Sequence, residues 1–246
     1  MMMLKFIAGI LLLCSLFNIV AGQDDNFRSH PDLGEYFTRI YKLDQNLVNG
    51  MKYYNLHPLA IGNPFLISDK PSEGWVVLNG VEYRDLLLKY DICNQQLILE
   101  YTFSHGGMNH VVLNNAFISE FEIFGKHFRK YHFLQTREKF FQVITSGNFT
   151  LLKAFKKELV APGSYSKIAY EYSGEQKKMY LLADSLPVTL KGNSSFIKLF
   201  PGHEAEIRKY MKQNKLRLKT ADDMALNKLL GYCSLFSEKM LTDSLK

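Results

Sequence analysis

Three cysteines, seven prolines and a single tryptophan are thin provision for a chain of 246 residues. Cys14 lies in an apolar leader, which leaves Cys93 and Cys233 for the folded body. Two thiols can close one bridge at most, so a disulfide-built scaffold is excluded. Whether these two pair is left open by their spacing; Cys233 stands on an apolar helical stripe and reads as a small core residue. Gly-x-Ser-x-Gly, His-Glu-x-x-His, paired Cys-x-x-Cys, a Walker-type run and Gly-x-Gly-x-x-Gly are all missing. That removes the usual signatures of an activated serine, a zinc centre and a phosphate-binding loop. Beyond the leader no apolar run is long enough to span a bilayer. Repeats of solenoid period and low-complexity tracts are also missing.

The leader has a recognisable order. One positive charge, Lys5, precedes an apolar stretch from Phe6 to Phe17, and small residues end it at Ala21-Gly22. This is the sequence of regions in a secretory signal peptide. Its apolar core is about a dozen residues, short of the ~20 that a spanning helix needs. Cleavage after Gly22 is expected, with Cys14 leaving in the leader and the working chain starting at Gln23. The protein is therefore expected to be exported, whether periplasmic, outer-membrane associated or extracellular.

About 220 residues then remain, enough for one β-rich domain. Hydrophobic content of 47% and aromatic content of 13%, mostly Phe and Tyr, predict a packed core and favour strands. Residues 23–73 read as a short helix over Asp32–Leu47 followed by a connecting segment. Residues 74–192 read as an antiparallel β domain. Residues 193–246 read as a helical segment packing on the sheet, all within a single domain.

Asn79-Gly80 between Trp75–Leu78 and Val81–Leu88 suits a type I′ hairpin, which needs positive φ at both positions. Asn94-Gln95, Gly125-Lys126, Ser146-Gly147-Asn148 and Ser173-Gly174 mark further reversals. Phe117, Ser119, Phe121 and Ile123 are expected on one strand face, with Glu120 and Glu122 on the other. Leu86-Leu87-Leu88 and Leu97-Ile98-Leu99 break alternation and predict strands covered on both faces. In the last segment, Asn193 or Ser194 is expected to cap a short helix, and His203–Asn214 forms another. Thr220 with Asp223 resembles a capping box ahead of a helix that buries Leu226, Leu229, Leu230, Cys233 and Phe236. The fold class is α+β, mainly β: an antiparallel β-meander, curled or barrel-like, with a short N-terminal helix and a C-terminal helical pair.

Formal net charge is +6, and the excess is concentrated. Lys126, Arg129, Lys130, Arg137, Lys139, Lys153, Lys156 and Lys157 face Glu138 alone between residues 126 and 157. Arg129, Lys130, Lys139, Lys153, Lys156 and Lys157 are the candidate surface for an anionic partner: lipid headgroups, polysaccharide or an acidic envelope protein. A solvated strand face whose lysines discourage edge pairing is the competing reading. Export and the lack of a binding motif argue against nucleic acid.

Other chemistry is sparse. His105 and His110 can meet across a hairpin, but two histidines fall short of a zinc set. His127 and His132 differ by an odd number and take opposite strand faces. Cys93 can act as a nucleophile only with a distant histidine. Glu120 and Glu122 share a face at a separation that suits paired carboxylates. Asn148-Phe149-Thr150 and Asn193-Ser194-Ser195 match glycosylation acceptors. No residue set points to a cofactor, a metal or a catalytic group.

Several segments together resemble a known group. Leu47-Val48-Asn49-Gly50-Met51-Lys52-Tyr53 with Gly62-Asn63-Pro64-Phe65 carries one part of the likeness, and Tyr90-Asp91-Ile92 leading into Gln96-Leu97 another. Leu199-Phe200-Pro201-Gly202, Ile207-Arg208-Lys209-Tyr210, Asn214-Lys215-Leu216 and Leu229-Leu230-Gly231-Tyr232-Cys233 complete it. Together they resemble an uncharacterised family of exported Bacteroidota proteins with a β-meander and C-terminal helices. The resemblance implies a Gram-negative envelope location, where the glycosylation matches carry no meaning, and it brings no functional residues with it. Three readings result: a non-enzymatic binding or structural module, a carrier of lipid or a small apolar ligand inside the curled sheet, and a hydrolase of envelope polymers.

Overall fold

The computed structural model describes residues 44–102, 106–133, 139–161, 170–183 and 186–243. The leader and nearly all of the expected helix over Asp32–Leu47 lie outside them. The described part opens with α1 (Gln45–Val48) and β1 (Met51–Lys52). Next come β2 (Ser72–Leu78), β3 (Val81–Asp91), β4 (Gln96–Thr102), β5 (Met108–Val112), β6 (Ile118–Ile123), β7 (Lys126–Lys130), β8 (Phe140–Ser146) and β9 (Phe149–Lys156). A small ribbon, β10 (Leu159–Val160) with β11 (Glu171–Tyr172), precedes β12 (Gln176–Ala183) and β13 (Leu186–Leu190). Three helices follow: α2 (Asn193–Ile197), α3 (Glu204–Gln213) and α4 (Asp223–Asp243). The described residues from Asn46 onward form one compact unit.

An antiparallel sheet of eleven strands runs in the order β1-β5-β4-β3-β2-β6-β7-β8-β9-β12-β13. Its body is two meanders, β2 to β5 and β6 to β9, joined side by side through β2 and β6, with β1 added at one edge and β12 and β13 at the other. Residues 113–117 alone carry the chain from β5 to β6. Extended, they reach about 20 Å. In a flat sheet the four intervening strand spacings alone consume ~19 Å. In addition, β5 ends level with Ile98 whereas β6 starts level with Leu78, far along the strand direction. Only a strongly curled sheet satisfies that link. The curl brings the β3–β4 turn against the end of β9, where the Lys157 N–H donates to the Ile92 carbonyl (3.4 Å) and the Gln95 amide donates to the Phe155 carbonyl (3.0 Å). The seam is bridged there without a ladder, so the sheet is barrel-like and not closed.

Two cores result. Inside the curl, Tyr90, Phe121, Phe128 and Phe140 are fully buried, with Phe121 stacked on Phe128 at 4.9 Å and Tyr90 edge-on to both. Further along the same face, Ile144, Leu151, Met179 and Leu181 meet Phe196, Ile207, Met211, Leu226, Leu229, Leu230 and Cys233 from the helices. The expected stripe of α4 is the one buried.

Several local expectations change. Asn79 (φ 52) and Gly80 (φ 78) make the type I′ turn as read. The next such turn uses Phe124 (φ 54) and Gly125 (φ 65), one residue earlier than Gly125-Lys126. Ser119 is bulged out where the β2–β6 register shifts, so Ile118 is buried in its place and Phe117 is exposed. Leu87 is exposed, so β3 is covered on one face at that point, while Leu97, Ile98 and Leu99 are all buried. Ser173-Gly174 does not close a hairpin onto β12, because β11 pairs with β10 and β12 lies between β9 and β13. The N-cap of α2 is Gly192, not Asn193 or Ser194, and Ser195 inside the first turn reaches back to it, its hydroxyl accepting the N–H of Lys191 and Gly192. Asn193 instead ties down the chain after α3 through the Leu216 carbonyl and the Leu218 N–H. At α4 the cap is Asp222, whose carboxylate accepts the Ala225 N–H at 2.7 Å. That leaves Asp223 free for another task.

Candidate functional site

The expected basic surface comes apart along its strands. Alternation puts Lys126, Phe128 and Lys130 on the inner side of β7 and Arg129 on the outer side. On β9, Lys153 shares the inner side with Leu151 and Phe155. Lys153 is buried and reaches Asp223 Oδ1 at 2.6 Å. Lys126 and the Gln142 amide bind the other oxygen of the same carboxylate. Lys157 donates to the carbonyls of Asn63 and Phe65, and Lys130 to those of Asn115 and Ala116. Lys156 pairs with Glu158, and Arg129 with Glu120. Lys139 is exposed. Lys153 therefore leaves the surface, and Lys130 and Lys157 are fasteners of the fold.

The Asp223 cluster lies where the aromatic interior meets the helical core. Burial alone would raise the Asp223 carboxyl, but hydrogen bonds from Lys126, Lys153 and Gln142 outweigh it and hold it well below the usual range. Burial lowers the Lys153 ammonium, and Asp223 offsets part of that. Such a cluster locks α4 to β7, β8 and β9.

A cleft of about 330 Å³ lies beside the edge strand β1. Its walls come from three separate stretches: Met51 to His57, the β3–β4 turn with Cys93 and Asn94, and Leu159 with Tyr172 from the ribbon. The turn is set by Asp91, which is fully buried. Its Oδ1 accepts the N–H of Cys93 and of Asn94 at 2.8 Å each, and Oδ2 accepts the Asn94 amide at 2.8 Å. That Asx arrangement presents Cys93 to the cleft. Burial, then the charge of Asp91, pushes the Cys93 thiol up. The same two causes push the Tyr53 phenol up to about 12 and raise Tyr172. All three groups keep their protons near neutral pH. A cysteine nucleophile needs its thiolate, and burial and the Asp91 charge disfavour that form at Cys93. Both oxygens of Asp91 are committed to the turn.

The other expected residues fall as follows. Cys93 and Cys233 are both free, the latter in the helical core with its thiol pushed up to about 12 by burial. His105 lies outside the described residues; His110 pairs with Glu100 at 2.8 Å. His132 follows the end of β7, while His127 pairs with Glu120. Glu120 and Glu122 share the outer face as read, and Glu120 is held by both His127 and Arg129. A ligand inside the sheet needs an apolar void, yet the curl is filled by Tyr90, Phe121, Phe128 and Phe140. Sequence reasoning missed Tyr53, Asp91, Tyr172 and Asp223; the local signal was Asp91 three residues before Asn94. No helix among the described residues is long and apolar enough to cross a membrane. Fold and site define an α+β protein with a half-closed antiparallel sheet and a small cleft at its edge. Comparison with protein-family models, curated proteins and solved structures finds no match.

Proposed function

We propose that this is an exported, non-enzymatic binding module of a Gram-negative cell envelope, and that the cleft beside β1 receives a compact group of a partner. One observation carries the reading. The cleft joins neutral hydrogen-bonding groups, the Tyr53 and Tyr172 phenols and the Cys93 thiol, to a rim of exposed apolar side chains. Met51 is 73%, Tyr54 64% and Leu56 82% exposed. Apolar side chains displayed together around a concavity mark interaction sites more than solvated surface. Protonated phenols and a thiol give hydrogen bonds without an ionised nucleophile near neutral pH, which suits binding. The resemblance to exported Bacteroidota proteins supports the envelope location.

Cys93 supplies the assay. Buried Cys233 is shielded in the native fold, so iodoacetamide at alkaline pH, where Cys93 is in part thiolate, followed by peptide mass spectrometry reads Cys93 on its own peptide. Solubilised envelope fractions are expected to slow this alkylation several-fold for the native protein and not for Leu56→Glu. Equal alkylation rates with and without every fraction would remove the proposal.

A further inference from the structure

The chain's single tryptophan lies away from the cleft, on the outer face of the curled sheet. Trp75 on β2 is directly opposite Glu122 on β6, and Glu122 is opposite His127 on β7. One step along the strands, Val77, Glu120 and Arg129 form a second row. The His127 ring tilts against the indole at 5.3 Å. His127 also reaches Glu120 at 2.9 Å, and Arg129 reaches the same oxygen at 3.3 Å. Glu120, His127 and Arg129 are thus held in place around the indole.

The backbone is shaped for this placement. The β2–β3 register slips between Gly74 and Val76, leaving Arg84 and Asp85 both facing Trp75, with Asp85 at φ 54. Bulges of this kind re-aim a side chain. A Cβ on Gly74 would stand 2.0 Å from the Glu122 carbonyl oxygen, so only glycine lets β2 and β6 approach so closely there. Trp75 stays half exposed. Among the described residues, Trp75 donates its indole N–H to none, and the Glu122 carboxylate makes no hydrogen bond or ion pair. A rigid ring, a free donor and a free carboxylate therefore stand side by side.

We infer that the Trp75 face binds a neutral oligosaccharide, one pyranose stacking on the indole while Glu122 and the Glu120–Arg129 pair hydrogen-bond its hydroxyls. An apolar ring face ringed by donors and acceptors matches a sugar, whose axial C–H bonds form an apolar face with hydroxyls around its edge. Tryptophan supplies a large stacking area at small entropic cost, and ionised partners make the stronger hydrogen bonds to hydroxyls. The charge pattern selects the class. Glu73, Glu82, Asp85, Glu120 and Glu122 outnumber Arg84 and Arg129 on this face, which repels an anionic polymer, and a single aromatic ring gives a lipid surface little to bind. This inference is independent of the cleft.

With one tryptophan, intrinsic fluorescence reports this face alone. The native chain should be titrated with cellohexaose, maltohexaose and mannohexaose, and with tetragalacturonate as the anionic control. A saturable blue shift with at least one neutral hexasaccharide and none with the control is expected. Glu122→Gln should weaken binding about tenfold. Trp75→Ala should lose retention on a gel containing the matching neutral polysaccharide; if it does not fold, Trp75→Phe should bind several-fold more weakly. Silence with all three neutral sugars, preference for tetragalacturonate, or native affinity in both Glu122→Gln and Trp75→Phe would overturn the inference.

Discussion

Replacing Asp223 with alanine gives the sharpest test of how the two cores are joined. The substitution leaves Lys153, whose side chain is 8% exposed, without its counter-ion, and takes from Lys126 and the Gln142 amide their shared acceptor. Stranding one charge of a fully buried pair costs ~3–5 kcal/mol. Asp223 keeps 34% of its side-chain surface, so solvent screening reduces the expectation to about 2–3 kcal/mol. For a chain of this size that lowers Tm by about 4–12 °C. The penalty comes from the stranded ammonium, so Lys153→Met in the Asp223→Ala background should restore most of the loss. Urea unfolding followed by Trp75 fluorescence and by far-ultraviolet circular dichroism measures the cycle. The pH dependence has a definite sign. The folded-state pKa of Asp223 is depressed, so its contribution is full above the unfolded value near 4. It is lost as pH falls from there through the folded value. Asp223→Ala should lack this acid-side slope. A double variant no more stable than Asp223→Ala, or a single variant within ~0.5 kcal/mol of the native chain, refutes the reasoning.

Asp91→Asn keeps an acceptor for the β3–β4 turn but removes the charge that helps hold Cys93 and Tyr53 protonated. The pH profile of Cys93 alkylation should move to lower pH, at a stability cost of about 1–2 kcal/mol; an unmoved profile contradicts the electrostatic account. Gly74→Ala places a Cβ 2.0 Å from a backbone carbonyl oxygen and should cost about 3 kcal/mol in chemical denaturation. Gly125→Ala meets nothing within 4 Å and should cost only the ~1 kcal/mol of its positive φ. Equal costs at the two glycines would show that the β2–β6 approach is not tight.

Features with a local cause were readable and features with a distant one were not. Asn79-Gly80 announces its turn because the required φ values are a property of the two residues. The α4 stripe is readable because helical spacing is fixed. The phase of β6 was not, because the bulge at Ser119 answers to the register of β2 and leaves no mark in its own composition. Lys153 looked like part of a basic surface when charges were counted along the chain. Its alternation with Leu151 and Phe155 already placed it on the buried side, but its counter-ion lies 70 residues away. The cleft is the extreme case, since Tyr53, Cys93 and Tyr172 meet only when the ribbon and the edge strand are both in place.

The curl and the outer binding face share a cause. The five-residue passage from β5 to β6 requires β2 to coil tightly, and β2 carries an irregularity toward each neighbour, at Gly74/Val76 against β3 and at Val77/Leu78 against β6. Each adds local twist. Trp75 falls inside the first, where a regular strand would have paired it with an ordinary cross-strand partner on β3. Both register irregularities at the join of the two meanders thus fall on the strand that presents the only indole. A sheet flattened at β2 would lose both its barrel-like curl and the stance of Trp75 above Glu122.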